Sequence, residues 1–243
     1  MKNSIKLLLY KIANCIYQKN YFLYKPLYFY YKKISDKEKI DFLKKEIKTG
    51  MRVLDIGANI GFYTVLFSMW LGKEGSVHAF EPDMLNFKYL KKNTEGAKNI
   101  YINNKAIGAK SEKIHLYQSK NLNVDHQTYD SGENRPFIEI DSLSIDDYFK
   151  NNEKIDLIKL DIQGYDYFAL CGMKDTIKRS GKVIILGEFW PYGLYKSGVR
   201  PEDYIKLLEE SGFKIEFFNK KRNYEKEINN KYFYTDFYGQ KDI

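Results

Sequence analysis

The sequence predicts an α/β protein built on a mostly parallel, doubly wound sheet that ends in an antiparallel hairpin. Three observations carry that prediction. Apolar runs of strand length alternate with segments of helical periodicity along most of the chain. Four of those runs close on a carboxylate, at Asp55, Glu81, Asp161 and Glu188. The runs at Asp55 and Asp161 break into glycine and then continue at helical spacing, the mark of a tight strand-to-helix turn. In an open parallel sheet the ligand crevice lies outside the carboxyl ends of the strands, so the four acids are expected to converge on one rim.

The chain has 243 residues, 44% of them hydrophobic, enough for one sizeable core. We expect an N-terminal arm over residues 1–49 and a single α/β domain over 50–243. In the arm, Ile5, Leu8, Leu9, Ile12 and Ile16 recur at helical spacing beside Lys2 and Lys6, so residues 4–18 read as an amphipathic helix. Tyr21 to Tyr31 read as an aromatic, lysine-rich connection around Pro26, and residues 36–48 as a charged helix. The first strand then reaches Asp55. A helix follows at 60–71, a strand at 76–81, a helix at 83–95 with Asp83 as its N-cap, and a strand from Ile100 to near Asn104. Strands at 112–118 and 137–141 flank the polar segment Ser119 to Arg135, which is too long and polar for a simple turn and reads as a substrate loop or lid. A short helix at 144–150, a strand at 155–160, a helix at 164–178 and a strand at 182–188 come next. Pro201 opens a helix through Glu210 that Gly212 closes, and strands at 213–218 and 232–238 form the hairpin.

The net charge of +8 is concentrated in the arm. Seven of the forty basic residues and none of the thirty-two acidic ones lie in residues 1–33. A nearly neutral body with only five arginines lacks the basic binding face of a nucleic-acid protein, so no nucleic-acid partner is expected. Cys15 and Cys171 form no C-x-x-C pair, which indicates neither a disulfide framework nor a zinc site, and a reducing, cytoplasmic location fits. The apolar run Leu7 to Tyr10 stops at Lys11, too short for a bilayer span or a signal peptide. The arm has two readings: peripheral contact with the cytoplasmic membrane face through residues 1–33, or packing on the sheet domain or on a second subunit in a homodimer.

The turn after Asp55 narrows the ligand. A dinucleotide fingerprint places a glycine where the backbone meets pyrophosphate, and here Asn59 stands between Gly57 and Gly61. Glu81-Pro82 ends the second strand, the position from which a carboxylate holds ribose hydroxyls. A nucleoside without pyrophosphate points to S-adenosyl-L-methionine.

At these residues the chain resembles the FkbM family of S-adenosylmethionine-dependent methyltransferases. The matching pieces are D-I-G-A-N-I-G-F-Y-T at 55–64, V-H-A-F-E-P at 77–82, N-K-A-I-G at 104–108, I-K-L-D-I-Q-G-Y-D at 158–166 and L-G-E-F-W-P at 186–191. Many members carry glutamate where this chain has Gln163 and Asp166; Gln163 removes a charge and keeps the capacity to orient a ligand by hydrogen bonds. The resemblance implies a Rossmann-like class I methyltransferase domain and O-methylation of a hydroxyl on a glycan or sugar-containing metabolite. A non-sugar small molecule or lipid is the alternative acceptor. Outside enzymology, the chain reads as a nucleoside-binding or membrane-docked module.

Roles follow from the chemistry of methyl transfer, in which the protein aligns acceptor and donor and takes a proton from a hydroxyl. On the donor side, Gly57, Asn59, Gly61 and Thr64 form the turn, Asp55 orients the amino end, and Glu81 and Pro82 hold the ribose. Ala106 and Ile107 are read as a wall for adenine, with buried core as the rival reading. Asp161 stands where methyl and acceptor meet, as the base or as a group that orients the donor. His126, in Asn123-Val-Asp125-His126, is the second candidate base, against a plain loop histidine. His78 and His115 read as structural. Asp125, Gln163, Glu188, Trp190 and Tyr192 are assigned to the acceptor, the aromatic pair either stacking on a sugar ring or filling the core. Asp125, Asp161 and Glu188 have no ligand-spacing motif, so no metal is expected.

Overall fold

The computed structural model describes residues 13–119, 125–218 and 227–242. Strands β1 (Arg52–Ile56), β2 (Ser76–Phe80) and β3 (Ile100–Asn103) pair in parallel. A small second sheet holds β4 (Ala106–Ile107), β5 (Lys113–Tyr117) and β6 (Phe137–Leu143), with β6 in the middle. Beyond it, β7 (Leu157–Leu160) and β8 (Val183–Phe189) extend the parallel sheet on the other side of β1. Strand β9 (Lys214–Phe217) and β10 (Thr235–Lys241) close the sheet antiparallel, giving the order β3-β2-β1-β7-β8-β10-β9. Strands are added outward from β1 to β3 on one side and from β7 to β8 on the other, so the strand order reverses between the parallel neighbours β1 and β7, and a crevice at their carboxyl ends is therefore a topological switch point.

Both faces of the sheet are covered, which is why its central strands are mostly apolar rather than alternating, with Asp55 in β1 and Lys159 in β7 among the exceptions. Leu54, Ile56, Ile158, Leu160 and Ile185 pack on one side with α6 (Asp166–Cys171), α7 (Lys174–Arg179) and α9 (Pro201–Glu210). Val53, Val77, Leu157, Ile184 and Leu186 pack on the other with α2 (Lys37–Glu46) and α3 (Phe62–Leu71) through Leu43, Phe67 and Leu71. Between β2 and β3, α4 (Met84–Asn93) is capped as expected: Asp83 accepts from Leu85 N–H at 3.0 Å and Asn86 N–H at 2.9 Å. Two further short helices are α5 (Ile145–Tyr148) and α8 (Pro191–Lys196).

The structure corrects three expectations. The aromatic connection is a helix, α1 (Tyr21–Ser35), with Asn20 as N-cap and Pro26 inside it. Proline deprives the carbonyl of Phe22 of its helical donor; Phe22 is 78% exposed, so the loss falls on a solvent-facing turn. The helix expected over 164–178 is two helices. Gly172 separates them because its backbone lies against Gly108, where a Cβ would come within 2.0 Å of the carbonyl oxygen. The last strand begins at Thr235 rather than 232, since the Trp190 indole N–H donates to Lys231 O at 3.1 Å and holds that stretch outside the sheet.

Residues 13–19 are helical; residues 4–12 of the expected amphipathic helix lie outside the described residues. The arm packs on the body. Tyr21 stacks on Tyr89 with ring centroids 3.5 Å apart, Phe29 meets Phe62 edge-on at 5.2 Å, and the Tyr17 hydroxyl donates to Asn86 Oδ1 at 2.6 Å. Among the described residues no helix is long and apolar enough to cross a membrane.

Candidate active site

The turn after β1 is held from within. Gly57 at φ +78° lies so close to the β7 end that a Cβ would be 2.0 Å from Asp161 O. Gly57 and Ala58 both donate to Phe80 O at 3.0 Å, and Gly61 N–H donates to Ala58 O at 2.9 Å. This geometry delivers the start of α3 to the crevice edge. The first-turn amides of a helix have no intrahelical acceptor, which suits the carboxylate of a donor.

Asp55 does not extend toward a ligand. It is fully buried, its Oδ2 accepts from the Thr64 hydroxyl at 2.6 Å, and its Oδ1 lies 3.2 Å from the Lys159 ammonium. The expected contact of Asp55 with the donor's amino end is therefore replaced by an internal one that ties β1, α3 and β7 together, and Thr64 serves the same bond.

Glu81 is placed differently. Its carboxylate accepts from Asn59 N–H at 2.8 Å, from Asp83 N–H at 3.0 Å and from Asn86 Nδ2 at 3.4 Å. Asn104 bridges the carbonyls of Glu81 and Pro82 at 2.9 and 3.0 Å, fixing the strand end. Burial pushes the Glu81 carboxyl up to about 7, against those hydrogen bonds. A carboxylate offers about four acceptor positions, so capacity remains for a hydroxyl donor, and the donor set fits the nucleoside end of S-adenosylmethionine. Ala106 is buried with Leu116 and Ile140, and Ile107 lies in the main core; both are core rather than an open adenine wall.

On the other side of the switch point, Asp161 keeps its side chain 39% exposed at the end of β7. Gln163 Nε2 donates to Asp161 Oδ1 at 3.2 Å and to Glu188 Oε2 at 3.4 Å, linking the two carboxyls. This turn runs through two left-handed residues, Gln163 at φ +55° and Gly164 at φ +90°, and a Cβ on Gly164 would meet Gly193 backbone at 2.5 Å. Burial raises Glu188 well above the usual carboxylate range, and Asp161, Asp236 and Asp166 add to it. Asp166 is likewise pushed to about 7, by burial and then by Asp161; its Oδ2 accepts from Gly164 N–H at 3.0 Å and its Oδ1 has no partner among the described residues.

The family model for the methyltransferase FkbM domain matches residues 55–215, which hold all of these groups except Asp236. The chain belongs to the FkbM methyltransferase family. Its methyl donor is S-adenosyl-L-methionine. The fold is shared with a putative methyltransferase from Streptococcus mutans in complex with SAH (12% identity, TM-score 0.51), covering 84% of this chain and 96% of that one. It is shared equally with a putative rRNA methylase from Clostridium thermocellum (10% identity, TM-score 0.51; 85% and 96% covered) and an rRNA methylase from Streptococcus thermophilus (14%, 0.50; 85% and 95%). Among curated proteins no sequence matches.

In this FkbM methyltransferase several expected acceptor residues are engaged elsewhere. His126 is mostly buried, with Nδ1 accepting from Ser119 N–H at 3.0 Å and Nε2 3.7 Å from Asp83 Oδ2. That places it beside the donor-side loop with its one lone pair occupied, and burial lowers its pKa. Asp125 pairs with Arg135 at 2.9 Å. Residues 120–124 of the polar segment lie outside the described residues; its remainder reaches the crevice through the Tyr129 hydroxyl, which donates to Gln163 O at 2.9 Å. Trp190 is 6% exposed and packs on Gly193, so its ring is core rather than a sugar platform. Tyr192 is half-buried beside it, and Tyr195, one turn further along α8, is 53% exposed.

The sequence reading missed the charges that surround these acids. Lys159 carried a signal, being a lysine inside the apolar run Leu157 to Leu160. The arm carried none. Asp36, after α1, accepts from the Tyr63 hydroxyl at 2.7 Å and pairs with Lys32 and Lys39; Lys39 also reaches Asp236 at 3.0 Å. Burial raises the Asp36 carboxyl, and the two ammonium groups more than reverse this, holding it at about 2. Tyr28 is half-buried; desolvation raises its hydroxyl pKa, and Asp161 and Asp36 push it further up. The arm thus contributes groups to the polar edge of the crevice.

Proposed function

We propose that this methyltransferase O-methylates a hydroxyl of a glycan or sugar-containing metabolite. The observation that carries the reading is the linked trio of Asp161, Gln163 and Glu188, two carboxyls and an amide on the acceptor edge of the crevice. Such groups hold hydroxyls by hydrogen bonds and remove a proton. S-adenosylmethionine, when bound, supplies a methyl group already activated by its sulfonium charge. Asp161 accepts the proton of the acceptor hydroxyl as the new bond to carbon forms, Gln163 fixes its orientation, and the raised proton affinity of Glu188 keeps a second negative charge from competing beside it. General-base help of this kind is worth about a hundredfold or more in rate. Tyr192 and Tyr195 offer apolar faces for a sugar ring at the same rim.

The test is conversion of the donor to S-adenosylhomocysteine in the presence of candidate acceptors, with mass spectrometry of the product. Methylated glycan or glycoside supports the reading. Turnover only with lipids or aglycone small molecules moves the acceptor to the alternative class, and donor binding with no turnover on any acceptor leaves a binding module.

A further inference from the structure

We infer that the outward face of α1 docks on an anionic membrane surface, independently of which acceptor the enzyme uses. The helix divides into two faces. Its inner face gives Tyr21, Tyr24 and Phe29 to the body. Its outer face carries Phe22, Leu23, Leu27, Tyr30, Tyr31 and Ile34, which are 49–78% exposed. These recur every four residues along the whole helix, a stripe about 20 Å long at 1.5 Å per residue. A contiguous apolar surface of that extent is uncommon on a soluble monomer and marks a contact.

Charge selects the partner. Residues 1–35 contain seven lysines and no acid, and exposed Lys19 and Lys33 border the stripe. The body extends the basic margin: Lys92 of α4 lies 4.2 Å from the Phe22 ring centroid, with Lys88 and Lys91 exposed on the same helix. Aromatic and aliphatic side chains rimmed by lysine match the boundary between lipid headgroups and acyl chains, where each lysine near anionic lipid adds about fivefold in affinity. A second copy fits less well, because a two-fold contact through this face sets lysines against lysines. The helix α1 itself carries no acid; the acids beside the stripe, Glu38 and Asp41, lie only at its Ile34 end, where Asp41 is paired with Lys37.

The experiment is co-sedimentation of the full chain with vesicles of mixed phosphatidylcholine and phosphatidylglycerol, and with vesicles of phosphatidylcholine alone, at low and high salt. Wild-type protein is expected to sediment with the anionic vesicles and to lose about tenfold or more in affinity at high salt. A Leu23→Ser/Leu27→Ser/Ile34→Ser variant and a separate Lys19→Glu/Lys33→Glu variant are expected to lose it similarly, with melting temperature and donor binding unchanged. Binding equal for wild type and both variants, or no preference for anionic vesicles, overturns the proposal. So does light scattering that shows a dimer which the triple-serine variant splits, since the face is then a contact between copies.

Discussion

Asp55 and Lys159 face each other across β1 and β7 as register partners, and the Lys159 ammonium lies 3.2 Å from Asp55 Oδ1 inside the sheet–helix layer. Lys159 also donates to Gly57 O at 3.1 Å and stands 3.9 Å from Asp161 Oδ2. One buried cation therefore fixes the first glycine of the donor turn and sits next to the acid of the acceptor edge. The two halves of the site are joined through it.

Lys159→Met leaves Asp55 as a buried charge without its cation, and loss of one partner of a buried pair costs about 3–5 kcal/mol. Urea unfolding is expected to show that loss, and the Lys159→Met/Asp55→Asn double variant to recover part of it. If the single variant is as stable as wild type, the pair does not organise the turn.

Glu81 makes the donor-free protein sensitive to pH. Its carboxyl ionises near 4.5 when unfolded and about 7 when folded. A raised folded value means stability that is fully present below pH 4.5 and is lost as the pH rises through 7; the shift corresponds to about 3 kcal/mol. Asp166, also raised to about 7 from 3.8, has the same sign. Glu81→Gln is expected to flatten the fall in unfolding free energy between pH 4.5 and 7 and to abolish donor binding by calorimetry. An unchanged slope assigns the effect to Asp166.

At the acceptor edge, Asp161→Asn is expected to reduce kcat by about a hundredfold or more while donor affinity persists. Gln163→Glu places a third acid between Asp161 and Glu188, and like charges raise one another's pKa. The acid limb of the kcat profile should then move to higher pH. A profile that stays in place means that Gln163 acts by shape alone.

His126 anchors the loop beside Asp83, so His126→Ala is expected to weaken donor affinity and change kcat by no more than about twofold. A collapse of kcat with intact donor affinity restores the histidine as base and requires the loop to release its Nδ1.

The fold was legible because its strands are buried on both sides, and unbroken apolar runs such as Val183 to Leu186 announce that directly. The rim was legible because acids end those runs. At the rim the misreadings have one cause: sequence does not tell which way a strand-end group turns. Asp55 is the penultimate residue of β1, paired in register with Ala79, and is locked against Thr64 and Lys159, whereas Glu81 lies just past the end of β2 and keeps acceptor capacity. Trp190 looked like a rim aromatic until Gly193 gave it room to lie inside. Pro26 hid a helix, since the lost hydrogen bond falls on an exposed turn and costs little. The arm's contacts, such as Asp36 with Tyr63, join segments whose sequence patterns carry no trace of each other.

Those contacts give the last expectation. Asp36 is held at about 2 by Lys32 and Lys39, against 3.8 when unfolded. A depressed folded value means stability that is fully present above pH 3.8 and is lost as the pH falls through 2, here about 2 kcal/mol. Asp36→Asn is expected to cost that amount at neutral pH, with the gap from wild type closing as the pH is lowered from 3.8 toward 2. Because the Tyr63 hydroxyl and Lys39 bind the same carboxylate beside the crevice, the variant should also loosen α1 and weaken donor affinity. A gap that stays constant over that pH range means the Tyr63 hydrogen bond, rather than the charge, fastens the arm; no gap at all means that α1 is held by its aromatic contacts with Tyr89 and Phe62 alone.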